Sequence, residues 1–326
     1  MERLKSVVVL LLFVNSVALI PSSCTTGSEK KNKTKESLII FHAGSLSVPF
    51  KRLADEFEKL HPNIELLMES AGSVECARKI SELKKDCDII ASSDYTVIED
   101  MLIPEYTDWY LNFAGNEMVI VFNKKSRMAN AINEGNWYDI LLKPEVFFGR
   151  SDPDLDPCGY RTLFTFQLAE KYYAKQGLAE KLTSKDLQYI RPKEVDLLAL
   201  IESNTLDYIF IYKSVALQHQ LDYLELPAEI NQGNPELTAY YASATTQITS
   251  DKPGSLIEKR AIPMTYALSI LKNAVNKEAA EDFVAFLLSA KGKAIIEESG
   301  QPWMNKVKNE QLRFLPEKLA SEVQSF

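Results

Sequence analysis

Apolar residues along this chain form short runs that alternate with longer amphipathic stretches. The first run is SLIIF at 37–41, and the polar segment HAGSLSVP ends it. The stretch VPFKRLADEFEKLHP at 48–62 then carries an apolar residue every three or four positions, until Pro62 stops it. A short apolar run predicts a buried strand, and the spacing of three or four predicts an amphipathic helix.

The alternation of strand and helix continues to residue 300. The first three strands and the two helices between them predict an α/β unit with a parallel sheet. A second unit of the same kind begins after Gly115. The further predicted strands are IELLMES (64–70), DIIASSD (88–94), MVIVFN (118–123), the GR pair before SDPDLDPCGYR, LDYIFIY (206–212) and AIPMTYALSIL (261–271), and the further helices are AGSVECARKISELKK (71–85), TLFTFQLAEKYY (162–173), RPKEVDLLALIESN (191–204), the turn into KSVALQH after Tyr212 and a closing pair in 276–300.

The N-terminal segment differs from the rest of the chain. Positively charged MERLK precedes an apolar run that is too short to span a membrane comfortably, which predicts a signal peptide over residues 1–24. Cys24 lies where a lipoprotein signal is cut and lipidated, although Pro21 stands where such signals most often carry leucine. The polar residues 25–36 predict a flexible tether. We therefore expect an exported protein at the cell surface or in the periplasm, anchored through a lipid on Cys24, with a plain secretory signal as the alternative.

Composition and charge narrow the classes of function. The 326-residue chain is 46% hydrophobic and 25% charged, which is ordinary for a globular protein. Its net charge of −8, without a basic stretch that contains aromatic residues, argues against nucleic-acid binding. Cys76, Cys87 and Cys158 have no short metal-binding spacing, so they do not predict a zinc site. Their spacing leaves the disulfide state open.

The segment SDPDLDPCGYR at 151–161 places an aspartate at every second position from 152 to 156. Alternating acidic residues suggest a calcium loop, but such a loop needs glycine at its sixth position and glutamate at its twelfth. Pro157 and Leu163 occupy those positions, so a calcium loop is not expected. The first two aspartates, at 152 and 154, are interpreted as turn residues.

Asp156 and the backbone N–H of Cys158 remain at the tip of this loop, where Pro157 and Gly159 are expected to break regular structure before a helix from Thr162. Another interpretation makes Cys158 the nucleophile of a secreted hydrolase. A nucleophilic thiol needs a nearby base, and this half of the chain offers only His219. We therefore do not expect an enzyme.

Two Gly-Ser pairs each precede a predicted helix, one in HAGSLS at 42–47 and one in SAGSV at 70–74. Open α/β sheets bind ligands at the carboxyl ends of their strands, and helix N-termini favour anions. The alternative is that Ser45 and Ser73 only cap their helices. Two such turns at equivalent strand ends favour an anion site.

Five segments of the chain together resemble the tungstate/molybdate-binding proteins of ABC importers. HAGSL alone is shared with other oxyanion binders, whereas DPCGYR combined with RPKEVD and IYKSVA is much more specific. One departure is the segment between the helix after DPCGYR and RPKE, which is shorter here than in the relatives and lacks their extra hairpin. The resembling segments are HAGSLSVPFKRLADEFEK, SAGSVECARKI, DPCGYR, RPKEVDLLALIES and DYIFIYKSVALQH.

The resemblance implies a type II periplasmic-binding-protein fold, in which two α/β lobes enclose a ligand cleft. Residues 37–114 and 265–326 would form the first lobe, and residues 115–264 the second. The implied function is capture of tungstate or molybdate and delivery to a membrane permease, by a monomer that needs no cofactor. Binding of sulfate or phosphate is the alternative, and tungstate and molybdate are too similar in size to be ranked.

The resemblance also implies a ligand set. The serines of the HAGS and AGS turns, the aspartate of DPCGYR, the glutamate of RPKE and the tyrosine of IYKS bind the oxyanion in the family, and the N–H of the cysteine in DPCGYR is added here. Because carboxylates repel a dianion, the two acids are expected to bind the tungsten or molybdenum atom, which can accept further oxygens as sulfur in sulfate cannot. On this chain the set is Ser45, Ser73, Asp156, Cys158, Glu194 and Tyr212.

Each of the later positions also has an ordinary structural interpretation. Glu194 would be favourable as an acid at a helix N-terminus, a role that Asp196 serves equally well. Tyr212 would be a core tyrosine with a satisfied hydroxyl. Glu225 in LELP is a weaker candidate for the role of Glu194.

Overall fold

The computed structural model describes residues 35–250, 254–304 and 310–324. The predicted signal peptide, Cys24 and nearly all of the predicted tether lie outside the described residues. Glu36, which we placed in the tether, instead begins the first strand. No helix within the described part of the chain is long and apolar enough to cross a membrane.

Strands and helices alternate along the chain much as the hydrophobic pattern predicts. The strands are β1 (Glu36–Ala43), β2 (Ile64–Ala71), β3 (Ile89–Ser92), β4 (Leu111–Gly115), β5 (Met118–Phe122), β6 (Phe148–Ser151), β7 (Ile190–Arg191), β8 (Tyr208–Tyr212), β9 (Asp222–Glu225), β10 (Thr245–Thr249), β11 (Leu256–Arg260) and β12 (Thr265–Ile270). The helices are α1 (Ser47–Leu60), α2 (Ser73–Ser81), α3 (Tyr95–Met101), α4 (Trp137–Leu141), α5 (Pro157–Tyr172), α6 (Leu178–Ser184), α7 (Leu198–Glu202), α8 (Lys213–Gln218), α9 (Ala228–Asn231), α10 (Thr238–Tyr241), α11 (Lys277–Leu288), α12 (Ala290–Glu298) and α13 (Glu317–Gln324).

Among the described residues, one sheet has the order β2-β1-β3-β12-β4 and another has the order β7-β6-β8-β5-β9. The parallel sheet predicted for the first unit is confirmed, because β1 pairs in parallel with both β2 and β3. Each sheet is nevertheless mixed. In the first sheet β12 runs antiparallel to β3 and β4, and in the second β5 runs antiparallel to β8 and β9. The reason is that β5 follows β4 of the first sheet directly and β12 follows β11 of a two-stranded β10-β11 sheet directly, in each case without the helical crossover that parallel pairing requires.

The chain crosses out of the first sheet at residues 115–117, which join β4 to β5, and crosses back into it at residues 261–264, which join β11 of the two-stranded sheet to β12. The strand ends nearest the crossings carry buried polar residues, and the candidate site is built from them.

Hydrophobic residues of the described chain form three clusters, one on each sheet and a third between α2, α3 and α5. Helix α5 belongs to two of them. Its Tyr160, Phe164 and Leu168 pack in the third cluster, while Phe166 and Ala169 pack on the second sheet. The spacing of four residues places the first set on one helix face, so α5 is held from both sides.

Two predicted helix starts are wrong. Helix α5 begins at Pro157 and not at Thr162, because proline fits the first turn of a helix and Asp156 caps it. Gly159 lies inside that helix, where an added Cβ would be 2.5 Å from the backbone of Pro153. The RPKE helix begins at Glu194 as a 3-10 turn over Glu194–Leu197 and continues as α7.

Candidate ligand-binding site

Asp156 and Glu194, which are 38 residues apart in the sequence, meet in the interior. Asp156 is the N-cap of α5, where its Oδ1 accepts a hydrogen bond from the Cys158 N–H at 3.2 Å. Its Oδ2 accepts a hydrogen bond from the Glu194 N–H at 2.8 Å. The Asp156 carboxyl is therefore fixed in position by two backbone donors, and it is only 1% exposed.

The carboxyl group of Glu194 is fully buried and faces Gly44. A Cβ at Gly44 would lie 3.0 Å from both carboxyl oxygens, so only glycine leaves room for them. The Asp156 carboxyl and the Ser45 hydroxyl are its polar neighbours, yet neither oxygen accepts a hydrogen bond of normal geometry from the described residues. A buried carboxylate without a partner is costly, so this group requires a proton or an electron-poor centre.

The electrostatics of the pair follow from its burial. Burial, and then the charge of Asp156, raise the pKa of Glu194 well above its ordinary 4.5. Burial also raises the pKa of Asp156, against the lowering effect of its hydrogen bonds. Raised pKa values at two adjacent buried acids are more common at functional sites than elsewhere in a protein.

Ser45 and Ser73 are both buried, and neither caps a helix. The residues at the N-caps of α1 and α2 are Leu46 and Gly72, and no side chain caps either helix. The Ser45 Oγ instead accepts a hydrogen bond from the Tyr266 hydroxyl at 2.9 Å. The alternative interpretation of these serines as helix caps is therefore wrong.

Tyr212 ends β8 and reaches the turn that holds Ser73. Its hydroxyl donates to the Ser93 Oγ at 3.4 Å, and the Ser93 Oγ lies 3.2 Å from the Ser73 Oγ. The Ser93 N–H also donates to the Ser73 Oγ at 3.0 Å. Serine hydroxyls carried by the first sheet and a tyrosine carried by the second thus converge on one place.

Cys158 does not have the surroundings of a nucleophile. Its thiol is fully buried and points towards the Phe210 carbonyl at 3.8 Å. Burial, and then the neighbouring acids, raise its pKa well above the ordinary value. Reactive cysteines have a lowered pKa and an exposed sulfur, so the hydrolase interpretation loses its chemical basis.

The remaining acids of the sequence analysis lie elsewhere. Asp152 accepts a hydrogen bond from the Asp154 N–H at 2.9 Å, and Asp154 accepts one from the Thr249 N–H at 2.7 Å, as turn residues do. Glu225 is exposed and pairs with Lys213 at 2.8 Å. In the described ranges, His, Cys, Asp and Glu side chains do not form a group of three or more that could hold a metal ion.

Several residues of the site were not predicted. Ser93 stands at the end of β3 in SSD, and the strand-end argument used for Ser45 and Ser73 would have found it. Tyr266 and Asn116 lie next to the two crossings between the sheets, and no local sequence signal marks them. Arg161, in DPCGYR, was not predicted either, although its guanidinium forms a buried ion pair with Asp94, which follows β3.

Segments carried by the two sheets also close against each other around the site. The Glu75 N–H donates to the Leu155 carbonyl at 3.1 Å, across a contact where a Cβ at Gly72 would lie 2.2 Å from the same oxygen. The Lys193 ammonium donates to the Ser70 carbonyl at 3.2 Å. A ligand between the acid pair and the serines would therefore be enclosed.

This combination of two sheets, two crossings and an enclosed polar centre defines a ligand-binding protein. The chain belongs to the family of bacterial extracellular solute-binding proteins, whose pattern it matches over residues 38–301. A solute-binding protein of Petrotoga mobilis is 48% identical over 283 residues, which cover 86% of this chain and 88% of that protein. The molybdate/tungstate-binding protein WtpA of Thermococcus kodakarensis is 42% identical over 324 residues, with 91% and 90% covered.

Solved structures confirm the predicted fold. The periplasmic molybdate-binding protein of Azotobacter vinelandii superposes with a TM-score of 0.59 at 17% identity, covering 83% of this chain and 100% of that one. The sulfate-binding protein SubI of Mycobacterium tuberculosis gives 0.56 at 9% identity, with 82% and 86% covered. At such identities these two likenesses bear on the fold alone.

Proposed function

We propose that this protein captures tungstate or molybdate outside the cell and delivers it to an ABC permease in the membrane. The observation that carries the proposal is the buried acid pair of Asp156 and Glu194, placed beside serine and tyrosine hydroxyls. The relatives described as molybdate/tungstate-binding, 42% identical over about nine-tenths of each chain, support it.

The acid pair distinguishes this site from an ordinary oxyanion site. At about 4 Å and an effective dielectric constant of about 20, two like unit charges repel by about 4 kcal/mol. Two carboxylates would therefore weaken the binding of sulfate, whose sulfur accepts no further oxygens. Tungsten and molybdenum can accept them, so a carboxyl oxygen of Glu194 and a remaining lone pair of the hydrogen-bonded Asp156 carboxyl would complete a near-octahedral set around the metal of the oxyanion.

The other predicted groups then have complementary roles. The hydroxyls of Ser45 and Ser73 would donate hydrogen bonds to the oxyanion's own oxygens. Tyr212 would donate either its backbone N–H or its hydroxyl proton, the latter turned away from the Ser93 Oγ. The Cys158 N–H would contribute through the Asp156 carboxyl that it holds in place. Charge-assisted hydrogen bonds of this kind are stronger than neutral ones.

The proposal extends to the architecture around the site. Residues 37–114 with 265–326 and residues 115–264 would act as two lobes that close on the ligand by a hinge motion. The protein would act as a monomer, held at the membrane by a lipid on Cys24. Closure of the lobes would retain the captured oxyanion, and the lipid would keep the protein near its permease.

Isothermal titration against an oxyanion panel tests the proposal. We expect tight binding of tungstate and molybdate and at least 100-fold weaker binding of sulfate and phosphate, on the order of the 4 kcal/mol repulsion reduced by screening. Glu194→Gln should abolish most of this preference. The control is Glu225→Gln, which removes an exposed acid outside the site and should change nothing. Sulfate or phosphate binding as tight as tungstate binding would refute the proposal.

A further inference from the structure

A chain of hydrogen bonds leads from the first crossing between the sheets to Ser45. The Asn116 Nδ2 donates to the Tyr266 hydroxyl at 2.9 Å, and the Tyr266 hydroxyl donates to the Ser45 Oγ at 2.9 Å. All three residues are at most 5% exposed. These hydrogen bonds are therefore shielded from water, and protein groups alone set the direction of each one.

The direction of the chain is fixed at Asn116. Its Oδ1 accepts hydrogen bonds from two backbone N–H groups, those of Glu117 at 3.0 Å and Ser214 at 3.3 Å. Because a backbone N–H can only donate, the oxygen of the amide must face these groups and the NH2 must face Tyr266. The same NH2 donates to the Ser214 Oγ at 2.7 Å.

The orientation of the Asn116 amide fixes the direction of the hydrogen bond from Tyr266 to Ser45. The oxygen of Tyr266 accepts a hydrogen bond from the Asn116 NH2, so its own proton points to the Ser45 Oγ. Burial raises the pKa of Tyr266, which keeps that proton in place. The Ser45 Oγ therefore accepts a hydrogen bond from Tyr266, and its own proton points away from Tyr266.

We propose that Asn116 and Tyr266 are positioning residues that orient the Ser45 hydroxyl as a hydrogen-bond donor to the bound oxyanion. The proposal rests on the proposed function, because it assumes an oxyanion with unprotonated oxygens at the site. Such a ligand needs donors only, and a hydroxyl that turned its lone pair towards it would repel it. Aligned hydrogen bonds in a chain also polarise and strengthen one another.

The Ser73 hydroxyl is also oriented by a fixed donor, which in this case is a backbone N–H. The backbone N–H of Ser93 donates to its Oγ at 3.0 Å, so Ser73 also accepts from a group that cannot reverse. Both serines of the site are therefore approached from the protein side by fixed donors. This shared feature is what a site for a fully ionised oxyanion requires.

Isothermal titration of a double-mutant cycle tests the chain. Tyr266→Phe removes one hydrogen bond and should weaken tungstate binding by about 2- to 10-fold. If Tyr266 acts through Ser45, the same change should have no further effect in a Ser45→Ala background. The control is Tyr138→Phe, which removes a partly buried tyrosine hydrogen bond outside the site, to the Gly135 carbonyl, and should leave binding unchanged.

Asn116→Asp gives a test of direction that does not depend on Ser45 substitution. An ionised aspartate cannot donate, so Tyr266 would turn its proton to the carboxylate, Ser45 would donate to Tyr266, and the lone pair of Ser45 would face the oxyanion. Asn116→Asp should therefore weaken binding more than Tyr266→Phe does. Adding Tyr266→Phe to Asn116→Asp should restore part of the affinity, because Ser45 is then free to turn back.

The outcomes distinguish a failure of this positioning proposal from a failure of the proposed function. If the unsubstituted protein binds another oxyanion and not tungstate, the proposed function fails, and the same cycles are measured with that oxyanion. Unchanged binding in Tyr266→Phe, losses that simply add in the double variants, or no recovery in Asn116→Asp with Tyr266→Phe would overturn the proposal. Thermal unfolding of each variant identifies losses that come from misfolding.

Discussion

Glu194 shows what a single residue contributes to this molecule. Its carboxyl group has no hydrogen-bond partner among the described residues, although it is completely buried. Proteins tolerate such a group where function requires it, at the expense of stability. The sequence indicated the residue only through its place in RPKE, because local composition fits an ordinary acid at a helix N-terminus equally well.

Replacing this acid should stabilise the protein without its ligand. Because the pKa of Glu194 is raised in the folded state, the folded protein binds the proton more tightly than the unfolded chain. The stability that protonated Glu194 contributes is fully present below the unfolded value of 4.5, is lost as pH rises towards the folded pKa, and stays absent above it. Glu194→Gln should raise the free energy of unfolding at neutral pH by about 1–3 kcal/mol.

Thermal unfolding of the two proteins without ligand, at pH 5 and at pH 8, measures this effect. The difference between them should be larger at pH 8. A variant that is less stable than the original protein at both pH values would contradict the account.

His42 should give stability the opposite dependence on pH. Burial lowers its pKa from 6.5 to about 4, so the unfolded chain binds the proton more tightly. The stability that the neutral imidazole contributes is present above pH 6.5 and is lost as pH falls towards 4. The loss between pH 7 and pH 4 should be about 3 kcal/mol.

Chemical denaturation from pH 7 to pH 4 tests this, with Glu194→Gln as the background so that the opposing acid is removed. Addition of His42→Asn should flatten the pH dependence of the unfolding free energy. Parallel curves with and without the histidine would show that another group is responsible.

Helix α5 is the element on which the site depends most. It carries Asp156 at its N-cap, and its two faces pack in different hydrophobic clusters. The apolar spacing from Thr162 onwards predicted the helix correctly. Its first turn was missed because Pro157 and Gly159 are breakers in most contexts, and only tertiary packing against residues 152 and 153 shows why a glycine is required inside it.

Arg161 and Asp94 fix this helix against the first sheet. The guanidinium and the carboxyl are 2.7 Å apart with side chains at most 3% exposed, and the Tyr160 hydroxyl donates to the same carboxyl at 2.9 Å. Asp94→Asn would leave a buried guanidinium without its counter-charge. We expect a loss of about 3–5 kcal/mol in the free energy of unfolding.

Chemical denaturation measures this loss. The matched control is Asp108→Asn, whose half-exposed pair with Lys272 should contribute at most about 1 kcal/mol. Equal effects of the two substitutions would mean that the buried pair does not hold α5 in place.

At the scale of the whole molecule, the fold class and the order of elements were predictable from the sequence, but the direction of β5 and β12 was not. Hydrophobic periodicity reports which residues are buried, and it does not report which sheet a strand joins or from which side it enters. The same limit applies to Tyr266 and Asn116. Their roles arise from the crossings between sheets, which have no local signature.

Closure around the ligand is the expected large-scale behaviour. The contacts between Glu75 and Leu155 and between Lys193 and Ser70 join segments carried by different sheets, so they should form when the ligand is bound. Small-angle scattering should show a smaller radius of gyration with saturating tungstate than without it. Identical scattering curves would contradict a hinge motion.

The central claim is that carboxylates bind the metal atom of the oxyanion. X-ray absorption at the tungsten edge, recorded on the protein with one equivalent of tungstate, measures the coordination of that atom directly. The account predicts more oxygen neighbours than the four of free tungstate, approaching six, with the number falling in Glu194→Gln. A spectrum with four oxygen neighbours, unchanged by the substitution, would contradict it.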